Sequence, residues 1–349
     1  MSAPTVSVPS VGTSARELNI GFHTRVPFAS GRAAEGLRDG ITLFREAEDL
    51  GFDRGWVYQR HFDNYLAAPL VFLPVVAQHT ARIGLGTAII GIRYEDPILL
   101  AEAASTADHL SGGRLELGFG TGLGGFDRAF GQEPNDGRQQ SLTRLDAFLR
   151  ALRGEAVGTA PNGDPLTVRG ASTDLLARTW YGAGSVASAE RVGQRGINLM
   201  LSTILTGDIA EYEAEQRAAI EVFRALHPSV ERARVSVSRS ILPTTSPERA
   251  RRYAAYDADR RANGPAASRL RGAVAPTAAP PGAYTMSPVI HGDPSAVIDT
   301  LLADPAVAEA DDLIAFLPPE FALAESTRVL EEIAEHVLPA LRAERKVPA

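Results

Sequence analysis

Residues 82–125 read RIGLGTAII-GIRYEDPILLAEAASTADHLSGGR-LELGFGTGLGG and decide the fold. The first of the three blocks mixes β-branched and long apolar residues with glycines, which is typical of a strand buried on both faces of a parallel sheet. Asp96 and Pro97 then open a helix, which two glycines end at residues 112 and 113. Leu115 begins a second apolar run. The stretch therefore predicts a strand, a helix and a second, parallel strand.

The same unit recurs along the rest of the chain. Apolar runs predict eight strands, at residues 18–23, 55–59, 83–90, 115–119, 179–181, 197–201, 235–238 and 313–316. Helical patterns lie between most of them, the first at residues 39–50. Eight such repeats without a large independent insert favour an α/β fold, a single (β/α)8 TIM barrel with inserted loops, over an open doubly wound sheet.

The chain divides into a short tail and one long domain. We predict that the barrel occupies residues 18–343 and follows a flexible N-terminal tail at residues 1–17. Residues 262–288 are rich in alanine, proline, glycine and arginine, and we predict that they form a mobile lid loop. The most apolar stretch, residues 66–77, is too short to span a bilayer, so no contact with a membrane is expected.

Composition excludes several classes of protein. Apolar residues make up 44% of the chain and charged residues 22%, which permits a large core. The formal net charge of −7 argues against a nucleic-acid-binding protein, which needs a basic face. The chain has no cysteine, which excludes disulfides and thiolate catalysis and fits a reducing cytoplasm. The histidines are scattered, so no metal site is predicted.

Ligand-binding groups of a TIM barrel lie at the carboxyl ends of its strands. That rule selects His23 after the first strand and His61 after the second as catalytic candidates that could transfer a proton. Arg60 is a third candidate, for an anionic ligand. Each has a simpler alternative, since a lone histidine is more often packed or capping than catalytic, and Arg60 could lie in solvent.

A glycine-rich loop follows the fifth strand and reads YGAGSVAS at residues 181–188. Its glycines, including Gly184, would let backbone amides converge on an anion. Ser185 could cap the next helix and donate its hydroxyl, and Ser188 is a weaker second donor. We predict that this segment, which begins at Tyr181, forms a phosphate-binding site that we call the cradle. The alternative is that Ser185 is only a helix cap.

Residues 120–125, GTGLGG, formally match the G-x-G-x-x-G dinucleotide fingerprint. The context is wrong, because the motif follows the fourth strand instead of the first and leads into a loop instead of a helix. A Rossmann site is therefore not predicted, and the simplest alternative is a glycine loop without a ligand.

Three further polar residues lie at or after the ends of strands. Thr87 could donate to a ligand or be a core threonine that bonds to the backbone. Arg93 could contact phosphate or substrate, or only brace its loop. Arg239 ends the seventh strand, where a buried guanidinium needs an anion or a carbonyl as its partner, and a contact with substrate or cofactor is one option.

Taken together, these segments resemble the bacterial luciferase-like monooxygenase family, over most of the chain. The resemblance lies in LGTAI, the DP-headed helix and ADHLSGGRLELGFGTG within residues 82–122, with support from YGAGS at 181–185, HGDP at 291–294 and VLPALR at 337–342. One place departs from the family. Many relatives carry Glu-His-His after the second strand, whereas this chain has Gln59, Arg60 and His61.

The resemblance implies a flavin-dependent monooxygenase that uses oxygen and reduced FMN to oxygenate a small organic substrate. A separate reductase, or free reduced flavin, would supply the cofactor. In that frame the candidate cofactor contacts are Thr87, Gly120, Tyr181, Gly184, Ser185 and Ser188, with backbone approaching the flavin at Gly120. The candidate substrate contacts are Arg93 and Arg239.

Two alternatives to this function stay open. The first is hydride transfer with the deazaflavin coenzyme F-420, and the second is a flavin-binding barrel without catalytic activity. The resemblance also implies a homodimer, formed through the helices beside the second and third strands.

Overall fold

A closed barrel of eight parallel strands forms the centre of the molecule. The computed structural model describes residues 17–135, 137–206, 209–263 and 284–344. The barrel strands are β1 (Asn19–Thr24), β2 (Arg54–Val57), β3 (Gly84–Gly91), β4 (Leu115–Gly120), β5 (Thr179–Ala183), β6 (Asn198–Leu201), β7 (Val235–Arg239) and β8 (Asp312–Phe316). Each strand pairs with its neighbours in chain order, and β8 pairs with β1 to close the ring. The predicted TIM barrel is confirmed.

Helices surround the barrel. In the described residues they are α1 (Ala33–Asp49), α2 (Pro69–Ala77), α3 (Pro97–Leu110), α4 (Arg138–Leu152), α5 (Val186–Gln194), α6 (Ile209–Leu226), α7 (Pro247–Asn263), α8 (Pro294–Ala303), α9 (Pro305–Glu309), α10 (Leu323–Glu332) and α11 (Leu338–Glu344). A π-helical turn, Ile333–Val337, joins the last two. None of these helices is long and apolar enough to cross a membrane.

Short elements decorate the connections. Within the described residues, 3-10 helices occupy Ile92–Tyr94, Asp127–Phe130 and Thr173–Arg178. Short strands of the same described part pair outside the barrel: Gly158–Thr159 with Pro165–Leu166, Ile204–Thr206 with Tyr284–Met286, and Ile241–Pro243 with Ile290–Gly292. Most of the predicted lid, residues 264–283, and residues 1–16 of the predicted tail lie outside the described residues.

Two helices differ from the pattern-based prediction. α1 begins at Ala33, before the predicted start, and contains Gly36, where a Cβ would lie 2.4 Å from the carbonyl oxygen of Pro27. Packing against Pro27 requires a glycine at position 36. Because glycine is a poor helix former, the sequence pattern does not show the true start of this helix. The sequence analysis gives no bounds for a helix at α2, whose interior Pro74 interrupts the helical pattern, while Pro69 lies in its first turn, where proline is tolerated.

The ADHLSGGR run braces the amino-terminal end of the barrel. Asp108 accepts hydrogen bonds from the guanidinium of Arg178, at 2.7 and 3.0 Å. Arg114 donates to the carbonyl oxygens of Ala77 at 2.9 Å and Ile83 at 3.0 Å, and so ties the end of α2 to the start of β3. The run that is most distinctive in the sequence is therefore structural and lies away from the ligand-binding end.

Four charged side chains close the inside of the barrel at this same end. Arg54 pairs with Glu116 at 3.0 Å and with Asp312, while Arg234 contacts Glu116 at 3.4 Å and Asp312 at 3.0 Å. The indole nitrogen of Trp180 donates to Glu116 at 2.6 Å. Burial raises the pKa of Asp312 to about 6, against the opposing pull of the two arginines. We call these four residues the ion quartet.

A layer of large side chains fills the barrel above the ion quartet. It consists of Trp56, Trp180, Met200 and Ile314, all buried. Glycines on neighbouring strands make room for them: a Cβ on Gly86 would lie 2.1 Å from the ring of Trp56, and one on Gly118 would lie 2.6 Å from the sulfur of Met200. The barrel is therefore a packed core here and can bind ligands only at its other end.

The ion quartet gives a prediction about stability. Arg234→Met leaves two buried carboxylates with one guanidinium, and we expect it to lower the free energy of unfolding by about 3–5 kcal/mol. The loss should be smaller below pH 6 than above it, since a carboxyl whose folded pKa is raised from 3.8 to about 6 costs stability as the pH rises through that window. Urea unfolding at several pH values measures both effects.

The matched control is Arg150→Met, which breaks an exposed pair with Glu155. That change should cost less than about 1 kcal/mol. Equal losses for the two variants would show that the ion quartet contributes no more than a surface pair.

Candidate functional site

His23 lies above the tryptophan layer, near the end of β1. Its ring stacks on Phe316 with centroids 4.6 Å apart, and its Nε2 lies 3.0 Å from the carbonyl oxygen of Ala88. A carbonyl only accepts, so Nε2 carries the hydrogen, and the buried Nδ1 has no hydrogen-bond partner in the described chain. Burial, with the charge of Arg25 second, lowers the pKa of His23 to about 3.

This pKa bears on the predicted catalytic role of His23. Proton transfer is efficient when the pKa lies near the working pH, and a value of about 3 is far below it. We therefore expect His23 to act as a neutral hydrogen-bond acceptor through Nδ1, and not to donate or take up a proton.

The end of β3 carries an irregularity that shapes the mouth of the barrel. The register with β4 shifts between Ala88 and Ile90, and the peptide bond between Ala88 and Ile89 is cis. The Ile89 side chain lies where Gly120 would carry its own, since a Cβ there would be 2.2 Å from Ile89 Cδ1. Gly120 therefore leaves space for the Ile89 side chain. This role differs from the one that the resemblance implied, a backbone contact with the cofactor.

The loops after β3 and β4 cross in direct backbone contact. A Cβ on Gly91 would lie 2.9 Å from the Cα of Gly122, which has a φ of +81°. Gln59 holds this crossing in place, because its Oε1 accepts from the Gly91 amide at 3.0 Å and its Nε2 donates to Glu95 at 2.8 Å. Gln59, which departs from the family pattern, therefore ties the loop after β2 to the loop after β3.

A narrow cleft with about 20 Å³ of free space opens beside this crossing. It is lined by Tyr58, Gln59, Arg60, His61, Gly91, Tyr94, Gly122, Leu123 and Phe126. The His61 ring meets Phe130 edge-on at 4.8 Å and Tyr94 at 6.0 Å, and its buried Nε2 has no hydrogen-bond partner in the described residues. Burial lowers the pKa of His61, against the opposing charge of Glu95. His61 thus presents a neutral ring in an aromatic cleft.

Arg60 lines the same cleft but is tied to its own loop. Its Nε lies 3.4 Å from Asp63, and its backbone amide donates to the Leu66 carbonyl oxygen at 2.8 Å. The next residue but one, Phe62, has a φ of +57° and an exposed ring. We expect Arg60 to shape this loop, with a ligand contact only secondary.

The predicted phosphate cradle has the geometry that such a site needs. Ser185 is the N-cap of α5, and its hydroxyl oxygen accepts from the Ser188 amide at 3.3 Å. Gly184 is exposed, and Ser185 and Ser188 are partly exposed, so an anion can reach the amides. A helix N-terminus of this kind favours negative charge. The residues present therefore fit a phosphate group.

Tyr181, at the end of β5, lies in the field of several arginines. The Tyr181 hydroxyl lies 3.5 Å from Thr121 Oγ1. Burial raises the pKa of Tyr181, and its hydrogen bond to Thr121 and the nearby charges of Arg191, Arg195 and Arg138 oppose that rise. The charges of these three arginines thus act on Tyr181, although Arg195 also pairs with Asp146.

Thr87 turns out to serve the sheet. Its fully buried hydroxyl donates to the Gly118 carbonyl at 2.9 Å and accepts from the Gly118 amide at 2.9 Å. This is the core-threonine alternative, because no hydroxyl hydrogen is left to donate to a cofactor.

The two arginines predicted to contact substrate are both held by protein groups. Arg93 is buried, pairs with Asp127 and donates to the carbonyl of Asn135 at 3.0 Å, so it braces the loop after β4. Arg239 pairs with Asp304 at 2.7 Å, and its other nitrogens donate to side chains on α6. We expect both to be structural, since their partners lie among loops and helices instead of in the cleft.

Sequence reasoning missed two arginines at the mouth. Arg25 and Arg260 each place Cζ 5.8 Å from the ring centroid of Phe316. Arg25 follows β1 directly, so the rule of strand ends could have found it. Arg260 lies on α7, far along the chain, and only the fold brings it here.

The fold is a TIM barrel with an exposed helix N-terminus after β5 and an aromatic cleft after β2. The family model of luciferase-like monooxygenases matches residues 19–306. The chain belongs to this family, which confirms the resemblance seen in the sequence.

Relatives with named activities cover part of the chain. A 4-hydroxyprotoasukamycin monooxygenase from Streptomyces nodosus subsp. asukaensis is 34% identical over 129 residues, which are 34% of this chain and 35% of that protein. An F-420-dependent glucose-6-phosphate dehydrogenase from Kineococcus radiotolerans is 34% identical over 151 residues, 41% of this chain and 42% of that protein. The chain thus spans about a third of the first relative and about two-fifths of the second.

One solved structure covers nearly the whole chain. The oxygenating constituent of 3,6-diketocamphane monooxygenase from Pseudomonas putida, in complex with FMN, has a TM-score of 0.65 and 16% sequence identity. The match covers 93% of this chain and 98% of that one. At this identity the likeness shows the fold alone.

Proposed function

We propose that this protein is a flavin-dependent monooxygenase that uses reduced FMN and oxygen to oxygenate a small organic substrate. The observation that carries the proposal is the pairing of an accessible phosphate cradle at Ser185 with an aromatic cleft at His61, both at the carboxyl ends of the strands. The relatives that are monooxygenases, and the FMN complex of the structural neighbour, support the same choice.

The chain's own residues would bind the cofactor and control its surroundings. The exposed N-terminus of α5, with the hydroxyls of Ser185 and Ser188, would hold the phosphate, and Tyr181 would lie beside it. Bound flavin supplies the redox chemistry with oxygen. The rings of Tyr94 and Phe130 would keep water from the cleft, and His61 would hold the substrate by a hydrogen bond from its neutral imidazole.

A partner must supply reduced cofactor in this proposal. The described residues form one barrel with no second nucleotide-binding domain. We infer that a separate reductase, or free reduced flavin, delivers the cofactor to the mouth.

The second candidate function is hydride transfer with coenzyme F-420. The dehydrogenase from Kineococcus radiotolerans, whose name states this cofactor, favours it. The cradle at Ser185 would hold a phosphate of either cofactor, so the two candidates differ in chemistry and not in anchoring. A storage role for the flavin is less well supported, because His61 and His23 both present buried nitrogens without partners among the described residues.

We also propose that two copies of the chain form a homodimer through α2 and α3. These helices expose four apolar side chains: Val71 and Val75 on α2, and Leu99 and Leu110 on α3. The helices pack together beside β2 and β3, so the four side chains form one surface for a second copy.

The cofactors themselves provide the first test. We expect the protein to bind reduced FMN and to transfer one atom of isotopically labelled oxygen to a member of a library of small organic compounds, as measured by mass spectrometry. Tighter binding of reduced F-420 than of reduced FMN, with products that carry no label, would overturn the monooxygenase proposal in favour of hydride transfer.

The cradle gives a second test. Ser185→Ala removes a hydrogen bond to a charged phosphate, so we expect FMN affinity to fall about tenfold or more, measured by flavin fluorescence. Asp293→Ala is the matched control, because it removes the N-cap of α8 at a similar cost of about 1 kcal/mol in stability. FMN affinity should be unchanged in the control; equal affinities in both variants would exclude Ser185 from the cradle.

The proposed interface gives a third test. The double variant Val71→Glu with Leu99→Glu places charges on the shared surface of α2 and α3, and should reduce the mass in sedimentation equilibrium from two chains to one. Leu302→Glu, on an exposed position of α8, is the control and should leave the mass unchanged. A monomeric wild-type protein would refute the dimer.

A further inference from the structure

Two guanidinium groups converge on one aromatic ring at the ends of β1 and β8. Arg25 and Arg260 each place Cζ 5.8 Å from the ring centroid of Phe316. Arg25 also lies over Tyr58 at 5.5 Å and over Tyr65 at 5.7 Å. The two guanidinium groups repel each other, so an anion bound between them would stabilise this arrangement.

Both arginines have a buried nitrogen without a hydrogen-bond partner in the described part of the chain: Nε of Arg25 and Nη2 of Arg260. Arg260 itself is more than nine-tenths buried, and its Nη1 donates to the Ser287 carbonyl at 2.9 Å. The Ser287 hydroxyl is buried and interacts with the Tyr212 hydroxyl. A buried donor without an acceptor costs free energy, so the two arginines together favour a bound acceptor.

The acidic groups around this cluster do not fill that need. Asp257 accepts from the Val289 amide at 2.7 Å and pairs with Arg261 at 2.7 Å. Glu320 is exposed to solvent. The positive charge of Arg25 and Arg260 is therefore available to a ligand.

We propose that Arg25 and Arg260 form a carboxylate subsite, so that the substrates of this enzyme are small organic acids. The inference rests on the proposed function and names its substrate class. A guanidinium group suits a carboxylate because its parallel N–H groups match the two oxygens. The Tyr58 ring belongs both to this cluster and to the cleft of His61, so the rest of the acid would extend toward His61.

The position of the subsite assigns it to the substrate instead of the cofactor. The order of strands around the ring is β1-β8-β7-β6-β5, so the end of β1 lies opposite the end of β5. The cradle at Ser185 follows β5 and already offers a place for the phosphate. A second anion site across the mouth is then left for the other reactant.

Acids and their neutral amides provide the test. Ligand-observed NMR on the full-length protein without flavin would compare benzoate with benzamide and hexanoate with hexanamide. We expect each acid to bind about tenfold more tightly than its amide. Arg25→Gln and Arg260→Gln should each abolish that preference, while Arg25→Lys should retain part of it.

The matched control is Arg252→Gln. Arg252 also lies over aromatic rings, at 5.2 Å from Phe321 and 5.8 Å from Tyr253, but it is paired with Glu325 outside the mouth. Its loss should leave the preference for acids unchanged. Circular dichroism would verify that each variant is folded.

Several results would overturn the subsite. Acids and amides that bind alike, or that both fail to bind at about 10 mM, contradict it, since even weak carboxylate recognition shows at that concentration. Displacement of the acids by FMN, with weaker FMN binding in Arg25→Gln, would assign the arginines to the cofactor phosphate. A preference for acids in a protein that binds no FMN would instead refute the proposed monooxygenase and leave the subsite standing.

Discussion

The ion quartet is the constraint on which the rest of the structure depends. Arg54, Glu116, Arg234 and Asp312 come from four separate parts of the chain and meet inside the amino-terminal end of the barrel. Buried charges are tolerated only when they are paired, so each strand that carries one must keep its register. The tryptophan layer rests on this base, and its packing leaves room for ligands only at the carboxyl ends.

Glycines on β3, on β4 and in the loop after β4 determine the shape of the ligand-binding end. Gly91 and Gly122 let two loops touch through their backbones, and Gly120 admits the side chain of Ile89. Gln59 locks the crossing by bonding to Gly91 and Glu95. The glycines that look like a cofactor motif in the sequence therefore act by shaping the walls of the cleft, and the cofactor itself is proposed to be anchored elsewhere, at the cradle after β5.

The sequence predicted the strands well because alternating apolar runs and turn residues are local signals, as at residues 115–119. It located the cap at Ser185 for the same reason. It could not show that Arg239 meets Asp304, or that Arg25 and Arg260 share Phe316, because these contacts join residues that are distant along the chain. The partner of a buried arginine depends on the fold, and a single sequence without relatives does not predict it.

The accessibility of the cradle has a consequence for how the protein would handle its cofactor. Gly184 faces solvent, and the groups proposed to grip the phosphate lie at the rim of the barrel. A cofactor phosphate that is bound at the rim can dissociate without any opening of the barrel core. The cofactor would therefore bind and dissociate in each catalytic cycle, as a second substrate does. Such a protein would be purified without bound flavin, and its turnover rate per enzyme molecule would rise with the concentration of reduced flavin until the site is saturated.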